Sequence, residues 1–159
     1  MTKVVLDWQE LASLLEITRA KGGRIVTTNG IFDLLHVGHV RYLQQARALG
    51  DVLVVGVNSD ACTRRLKGES RPLVIQEERM EMLAALSCVD YVTLFDETTP
   101  ENLLEVLRPH IHVKGGDYDI ERMPETSVVR RYGGEVIALP FVPGRSTSRL
   151  VQLMQQTNG

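Results

Sequence analysis

The residues with the clearest chemical potential stand together in Thr28-Asn29-Gly30-Ile31-Phe32-Asp33-Leu34-Leu35-His36-Val37-Gly38-His39. His36 and His39 are three apart, so at a helix start they lie on one face. Gly38 removes a side chain between them and lets a ligand approach the backbone. A helix N-terminus adds unpaired N–H groups and a partial positive charge. Together with the Asn29-Gly30 turn, this combination suits a crowded, highly charged phosphate chain. Two plainer readings stand beside it. The histidines can cap or pack the helix. They can also begin a metal site, although His-x-x-His with no carboxylate or third His leaves the coordination shell incomplete. The order GxxxxGK(S/T) is absent, Leu66-Lys67-Gly68-Glu69-Ser70 being the nearest approach, and GxGxxG does not follow the first strand.

These residues need a scaffold, and the apolar pattern predicts one. Asp7 reads as the N-cap of a helix to Lys21, with Leu11, Leu14, Leu15 and Ile17 at helical spacing and Gly22-Gly23 as the stop. Short apolar, β-branched runs predict strands over 24–28, 52–57, 91–95, 111–114 and 135–139. Between them, helices are expected over about 37–49, 76–87 and 100–108, with Pro100 at the first helical position. A short helix near 128–132 and a terminal helix from about Ser146 complete the list, while Asn58 to Pro72 reads as a polar, basic loop. Strands that are apolar on both faces and alternate with helices predict an α/β fold, a Rossmann-like three-layer sandwich. Its five-stranded, mostly parallel sheet carries helices on both faces. Such folds bind ligands beyond the carboxyl ends of the strands, where the strand order switches direction. Four loops are expected there: 29–35, 58–72, 115–118 and 141–145.

The chain has 159 residues, which predicts a single domain over 1–159 with its core at about 24–154. Eighteen Lys plus Arg against twenty Asp plus Glu give a net charge of −2, so no global field exists for gripping a nucleic-acid backbone. A bound anion must therefore meet a local cluster of cations. Cys62 and Cys88 make no disulfide framework and read as reduced thiols. No stretch approaches the ~18 apolar residues of a membrane span, and Met1 to Asp7 lacks an apolar leader core, so a cytoplasmic location is expected.

His36-Val37-Gly38-His39, with Asn29-Gly30-Ile31-Phe32-Asp33 before it, resembles the HxGH signature of the α/β nucleotidyltransferases, the cytidylyl- and adenylyltransferases that join a nucleotide to a phosphate ester. Their second signature, a Ser/Thr turn opening the last helix, is similar to Arg145-Ser146-Thr147-Ser148, although Arg145 and Ser148 depart from the usual pattern. Lys67-Gly68-Glu69-Ser70-Arg71-Pro72 and Val113-Lys114-Gly115-Gly116-Asp117-Tyr118 resemble the branch that makes nucleotide-activated heptose. In that branch Phe follows the Leu-Pro pair of the last strand, as Phe141 follows Leu139-Pro140 here. The glycerol-3-phosphate cytidylyltransferases tend to place Arg there and Met-Gly-Asp-Asp-Trp after the fourth strand. The resemblance thus implies ATP and a heptose 1-phosphate as substrates, with ADP-heptose and pyrophosphate as products. It also implies Mg²⁺ carried mainly on the ATP phosphates, a homodimer, and a separate sugar kinase in the same pathway, since that branch is often fused to one. A CTP-dependent cytidylyltransferase and a non-catalytic nucleotide-binding regulator are the alternatives. Neither nucleic acid nor membrane is expected as a partner.

The chemistry then follows from charge. A phosphate monoester with a second pKa of ~6 is already anionic, so its attack on the α-phosphorus needs no general base. Catalysis must come from positioning and from positive groups aimed at developing charge. The resemblance implies that His36 and His39 donate to the α- and β-phosphates, and that Asn29, Gly38 and the N–H groups of Gly30, Ile31 and Phe32 line the nucleotide site. Lys67 and Arg71 neutralise the sugar phosphate or the leaving pyrophosphate, with Arg79 acting on the same phosphates. Ser146, Thr147 and Ser148 take the β- and γ-phosphates at a helix start, and Gly115 and Asp117 face the ribose or base. Asp33 and Asp60 are expected to contact the acceptor, Asp33 being also the best nearby carboxylate for Mg²⁺; Asp60 alternatively N-caps 61–65. The basic residues of 64–71 otherwise read as a solvated loop and Asp117 as a turn cap, while His110, His112 and Arg130-Arg131 read as structural.

Overall fold

The computed structural model describes residues 3–140 and 146–157. Phe141, Arg145 and the whole loop expected over 141–145 lie outside the described residues. Five strands, β1 (Ile25–Gly30), β2 (Val52–Asn58), β3 (Tyr91–Phe95), β4 (Ile111–Gly115) and β5 (Glu135–Leu139), form one sheet in the order 3-2-1-4-5. Every pairing in it is parallel. The order turns back between β1 and β4, whose register sets Thr28 beside Val113.

Helices cover both faces because the strands are apolar on both. On one face, α2 (Val37–Arg47) and α4 (Gln76–Ala84) set Leu43, Ala46, Met80 and Leu83 against Val26, Val55 and Val92. On the other, α1 (Trp8–Ala20) and α5 (Glu101–Leu107) bring Leu11, Leu15, Leu103 and Leu107 onto Ile25, Val54 and Phe95. Gly56 leaves room there, since a Cβ would stand 2.9 Å from the end of the Leu103 side chain. α6 (Pro124–Arg131) closes the β5 side through Val128, Val129 and Val136, and α7 (Thr147–Thr157) follows the last strand. Asp7 caps α1 as expected, its carboxylate accepting from Gln9 N and Glu10 N.

Three boundaries differ from expectation. Asp60–Lys67, read as loop, is a helix, α3. Ser59 caps it by accepting from Cys62 N, and only Cys62 and Thr63 are buried, so no apolar stripe announces it. Asp60 is the first helical residue rather than the cap. Pro100 precedes α5 as its N-cap. The helix expected near 128–132 begins earlier, with Pro124 at its first turn and a 3-10 turn (Ile120–Arg122) before it.

Candidate active site

At the carboxyl ends of β1 and β4 the surface opens into a cavity of about 470 Å3. This is the size of a small-molecule site at the switch point of an open parallel sheet. Its back wall is the β1–α2 loop, Asn29 to Asp33. Phe32 adopts φ 51, a left-handed conformation costing about 1–3 kcal/mol for a bulky residue. Gly30 makes room for it, because a Cβ there would meet the Phe32 ring at 2.8 Å. The folded-back ring is buried and contacts His39, with centroids 5.4 Å apart.

The two histidines build the mouth of α2. His36 is its N-cap, Nδ1 accepting from Gly38 N at 3.1 Å, while His39 Nδ1 accepts from His36 N at 3.3 Å. This reciprocal arrangement is a capping box made of imidazoles. The capping reading of the motif is therefore correct. A neutral imidazole that accepts at Nδ1 carries its proton on Nε2, so both rings are set as Nε2–H donors. Burial, and then the neighbouring His36, push the His39 pKa down to about 4. His39 is thus neutral near pH 7 and lines the cavity, whereas His36, expected to donate to the same phosphates, is not among the lining residues and packs against His39, ring centroids 3.9 Å apart. Gly38 is buried in the first turn, its N–H turned to His36 rather than to the cavity.

Lys67, at the end of α3, and Arg71 also line the cavity, while Thr147 and Ser148 supply the N-terminus of α7. Thr147 Oγ1 donates to Leu34 O at 3.0 Å, which fixes that helix start to the β1–α2 loop. Ser146 caps the same helix by accepting from Arg149 N and does not line the cavity. Gly115 lines it, whereas Asp117 is exposed beside it.

Three carboxylate and guanidinium assignments are corrected by burial. Arg79 is fully buried and cannot reach a bound phosphate. Its Nε donates to Val74 O, Nη1 to Ile31 O and Asn58 O, and Nη2 to Asp60 at 2.6 Å. It ties the ends of β1 and β2 to the segment before α4. Asp60, occupied as that partner, does not line the cavity. Asp33 is 1% exposed and its oxygens accept from Leu73 N, Val74 N and Arg71 Nε, at 2.7–2.9 Å. Burial raises its pKa, but those hydrogen bonds and the Arg71 charge outweigh it and hold the carboxyl low. Asp33 is thus an anchor for the Arg71 segment, not an open metal or substrate ligand. Among the described residues no group of three or more His, Cys, Asp or Glu side chains is placed to hold a metal ion.

Six wall residues were not singled out from the sequence: Tyr42, Asn58, Leu66, Thr98, Lys114 and Tyr118. Tyr42 forms the floor, its hydroxyl donating to Val113 O and paired with Thr28 Oγ1. Burial pushes its pKa well up, so the phenol stays protonated. Lys114 and Tyr118 belong to the same Val113–Tyr118 block as Gly115, and that block is their signal in the sequence. Thr98 follows β3, whose loop carries no distinctive residues. His112 is fully buried, its Nδ1 2.8 Å from Thr27 Oγ1, and His110 Nδ1 accepts from Ile25 N, so both are structural. Arg130 and Arg131 form exposed ion pairs with Glu121 and Glu105.

Neutral imidazole donors, two helix N-termini and the ammonium or guanidinium groups of Lys67, Arg71 and Lys114 can hold a polyphosphate and stabilise charge moving between phosphates. The sequence model of the family described as Cytidylyltransferase-like matches residues 27–152. The protein called "Bifunctional protein HldE" of Geobacter sulfurreducens is 56% identical over 149 residues, 94% of this chain and 30% of that protein. Its namesake in Pseudomonas paraeruginosa is 51% identical over 152 residues, 96% of this chain and 32% of its own length. The chain thus spans about a third of the curated relatives it matches. A solved structure, described as the lipopolysaccharide core biosynthesis protein from Thermoplasma volcanium, superposes with a TM-score of 0.63 at 30% identity. It covers 76% of this chain and 98% of its own.

Proposed function

Because the chain belongs to the cytidylyltransferase-like family, it is a nucleotidyltransferase, and we propose that it transfers AMP from ATP to a heptose 1-phosphate. ADP-heptose and pyrophosphate are the products. The relatives named HldE and the lipopolysaccharide core protein support a place in heptose metabolism, and the Lys114-Gly115-Gly116-Asp117-Tyr118 block supports the heptose branch.

The observation that carries the reading is the imidazole capping box, which sets the neutral His39 ring as a donor at a helix N-terminus beside a polyphosphate-sized cavity. The acceptor phosphate enters as an anion and attacks the α-phosphorus in line. His39 donates its Nε2 proton in a hydrogen bond to phosphate oxygens as charge develops on them, with His36 behind it fixing the ring. Lys67 and Arg71 meet the acceptor phosphate or the departing pyrophosphate, and the start of α7 holds the terminal phosphates. No proton need be abstracted, and Asp33, fully engaged, is not a base. Mg²⁺ belongs to this proposal as the ion that ATP carries on its own phosphates with most of its water. A sugar kinase supplies the acceptor and the enzyme works in the cytoplasm; no helix among the described residues is long and apolar enough to cross a membrane.

The test is pyrophosphate release with ATP and with CTP over a panel of sugar 1-phosphates and glycerol 3-phosphate, products identified by mass. Release with ATP and a heptose 1-phosphate is expected. Release only with CTP and glycerol 3-phosphate moves the protein to the cytidylyl branch. Nucleotide binding with no release for any acceptor makes it a regulator.

A further inference from the structure

We propose that Lys114, positioned by the buried carboxylate of Glu125, receives the α-phosphate of the bound nucleotide, an inference that rests on the nucleotidyltransferase reading above. Lys114 is the penultimate residue of β4 and lines the cavity. Its ammonium stands 3.4 Å from Asn29 Oδ1, 3.6 Å from Glu125 Oε1 and 5.5 Å from the centre of the Tyr118 ring. A charge-assisted N–H···O bond closes to about 2.7–2.9 Å. Lys114 has three donors; one makes a long hydrogen bond to Asn29 Oδ1, and the Glu125 contact is an ion pair beyond hydrogen-bond length. The ammonium is held by surrounding negative charge and a ring face, and it keeps the freedom to close onto an anion.

Glu125 gives the arrangement its direction. It lies in the first turn of α6 with its side chain 3% exposed, and Lys114 is its ion-pair partner among the described residues. A carboxylate out of water needs a cation beside it. The pair therefore draws Lys114 to the β4 wall instead of letting its four-carbon stem reach into solvent. Placement along the sheet then selects the ligand group. Lys67 and Arg71 stand on the α3 side of the cavity; Lys114 stands on the β4 side, with Gly115 and Tyr118. His39 and the 30–32 loop lie at the join. In-line displacement leaves the α-phosphoryl oxygens, themselves negative, between the acceptor phosphate and the pyrophosphate; with Lys67 and Arg71 assigned above to those flanking anions, Lys114, on the opposite side of the β1 loop, is the cation left for the α-phosphate itself.

The test is calorimetric titration of the full chain with ATP, AMP and adenosine. Lys114→Gln is expected to weaken ATP and AMP by the same factor, tenfold or more, and to leave adenosine within twofold. Lys114→Arg should restore most of the loss. Glu125→Gln removes the compensating charge, so AMP should bind more tightly while Lys114 is present and no differently in the Lys114→Gln background. An equal loss for adenosine would make Lys114 a wall residue and overturn the proposal. So would unchanged AMP binding, with or without a raised KM for the sugar phosphate. If Glu125→Gln does not fold, the Lys114→Gln and Lys114→Arg pair still decides the matter. A wild-type chain that binds none of the three ligands overturns the nucleotide reading itself. One that binds them while Lys114→Gln loses nothing overturns only the role of Lys114.

Discussion

His36 and His39 stack at the mouth of α2 with centroids 3.9 Å apart and planes tilted by 34°, each ring accepting a backbone N–H of the same turn. The cap therefore fixes the tautomer. Each imidazole must present Nε2–H, and neither needs to be charged to act.

Loss of the front ring should be costly for rate and cheap for the fold. His39→Ala is expected to lower kcat by ~10²-fold or more, the scale for one transition-state donor. The fold should lose only about 0.5–2 kcal/mol, the scale of one helix-cap acceptor, since His39 Nδ1 caps His36 N. Steady-state pyrophosphate release checks this, and an unchanged kcat removes His39 from the mechanism.

Lys67 and Asp33 should separate catalysis from anchoring. Lys67 is exposed on the last turn of α3, so Lys67→Ala should reduce kcat/KM without shifting the unfolding midpoint. Asp33→Asn leaves an amide facing Arg71 Nε and the N–H groups of Leu73 and Val74. That variant should lose both activity and stability, by about 1–3 kcal/mol for a weakened buried charge-assisted set. Urea unfolding of both variants, run beside kinetics, reads the difference.

Arg79 is a keystone. Arg79→Leu leaves the carbonyls of Ile31, Asn58 and Val74 and the Asp60 carboxylate without their donor. A loss of about 3–5 kcal/mol is expected, as for other broken buried ion pairs. Arg79→Lys keeps the charge but not the fork, and should recover only part. A chemical-denaturation midpoint near wild type in either variant would contradict this role.

Acid should destabilise the fold through two rings. Burial, then Lys114, push the His112 pKa down to about 3, as burial and His36 push His39 to about 4, both from 6.5. Between those values and 6.5 the unfolded chain binds more protons than the native one. Unfolding free energy therefore falls as pH drops through that window, by up to ~1.4 kcal/mol per pH unit for each ring. Asp33, held below its ordinary 3.8, adds a loss of the same sign at lower pH. His112→Phe should flatten the slope from pH 6.5 to 4; an unaltered slope would show that His112 does not carry it.

Local rules made much of this protein legible in advance. Runs such as 52–57 are apolar on both faces, which only a sheet covered on both sides satisfies. Asp7 as a cap and His36-x-Gly-His39 as a helix start depend on neighbours within one turn. Their spacing on the chain is therefore already their spacing in space. What the tertiary structure alone decided concerns partners far apart along the chain. Arg79, an ordinary helical arginine by pattern, becomes a buried clamp because the ends of β1 and β2 present carbonyls to it. Asp33 meets the N–H groups of residues forty positions on, and Glu125 meets Lys114 across the β4–α6 crossover. A charged side chain reads as solvated until the fold removes its water. Whether it is then a ligand-binding group or an internal brace depends on which groups replace that water, and no periodicity along the chain encodes them.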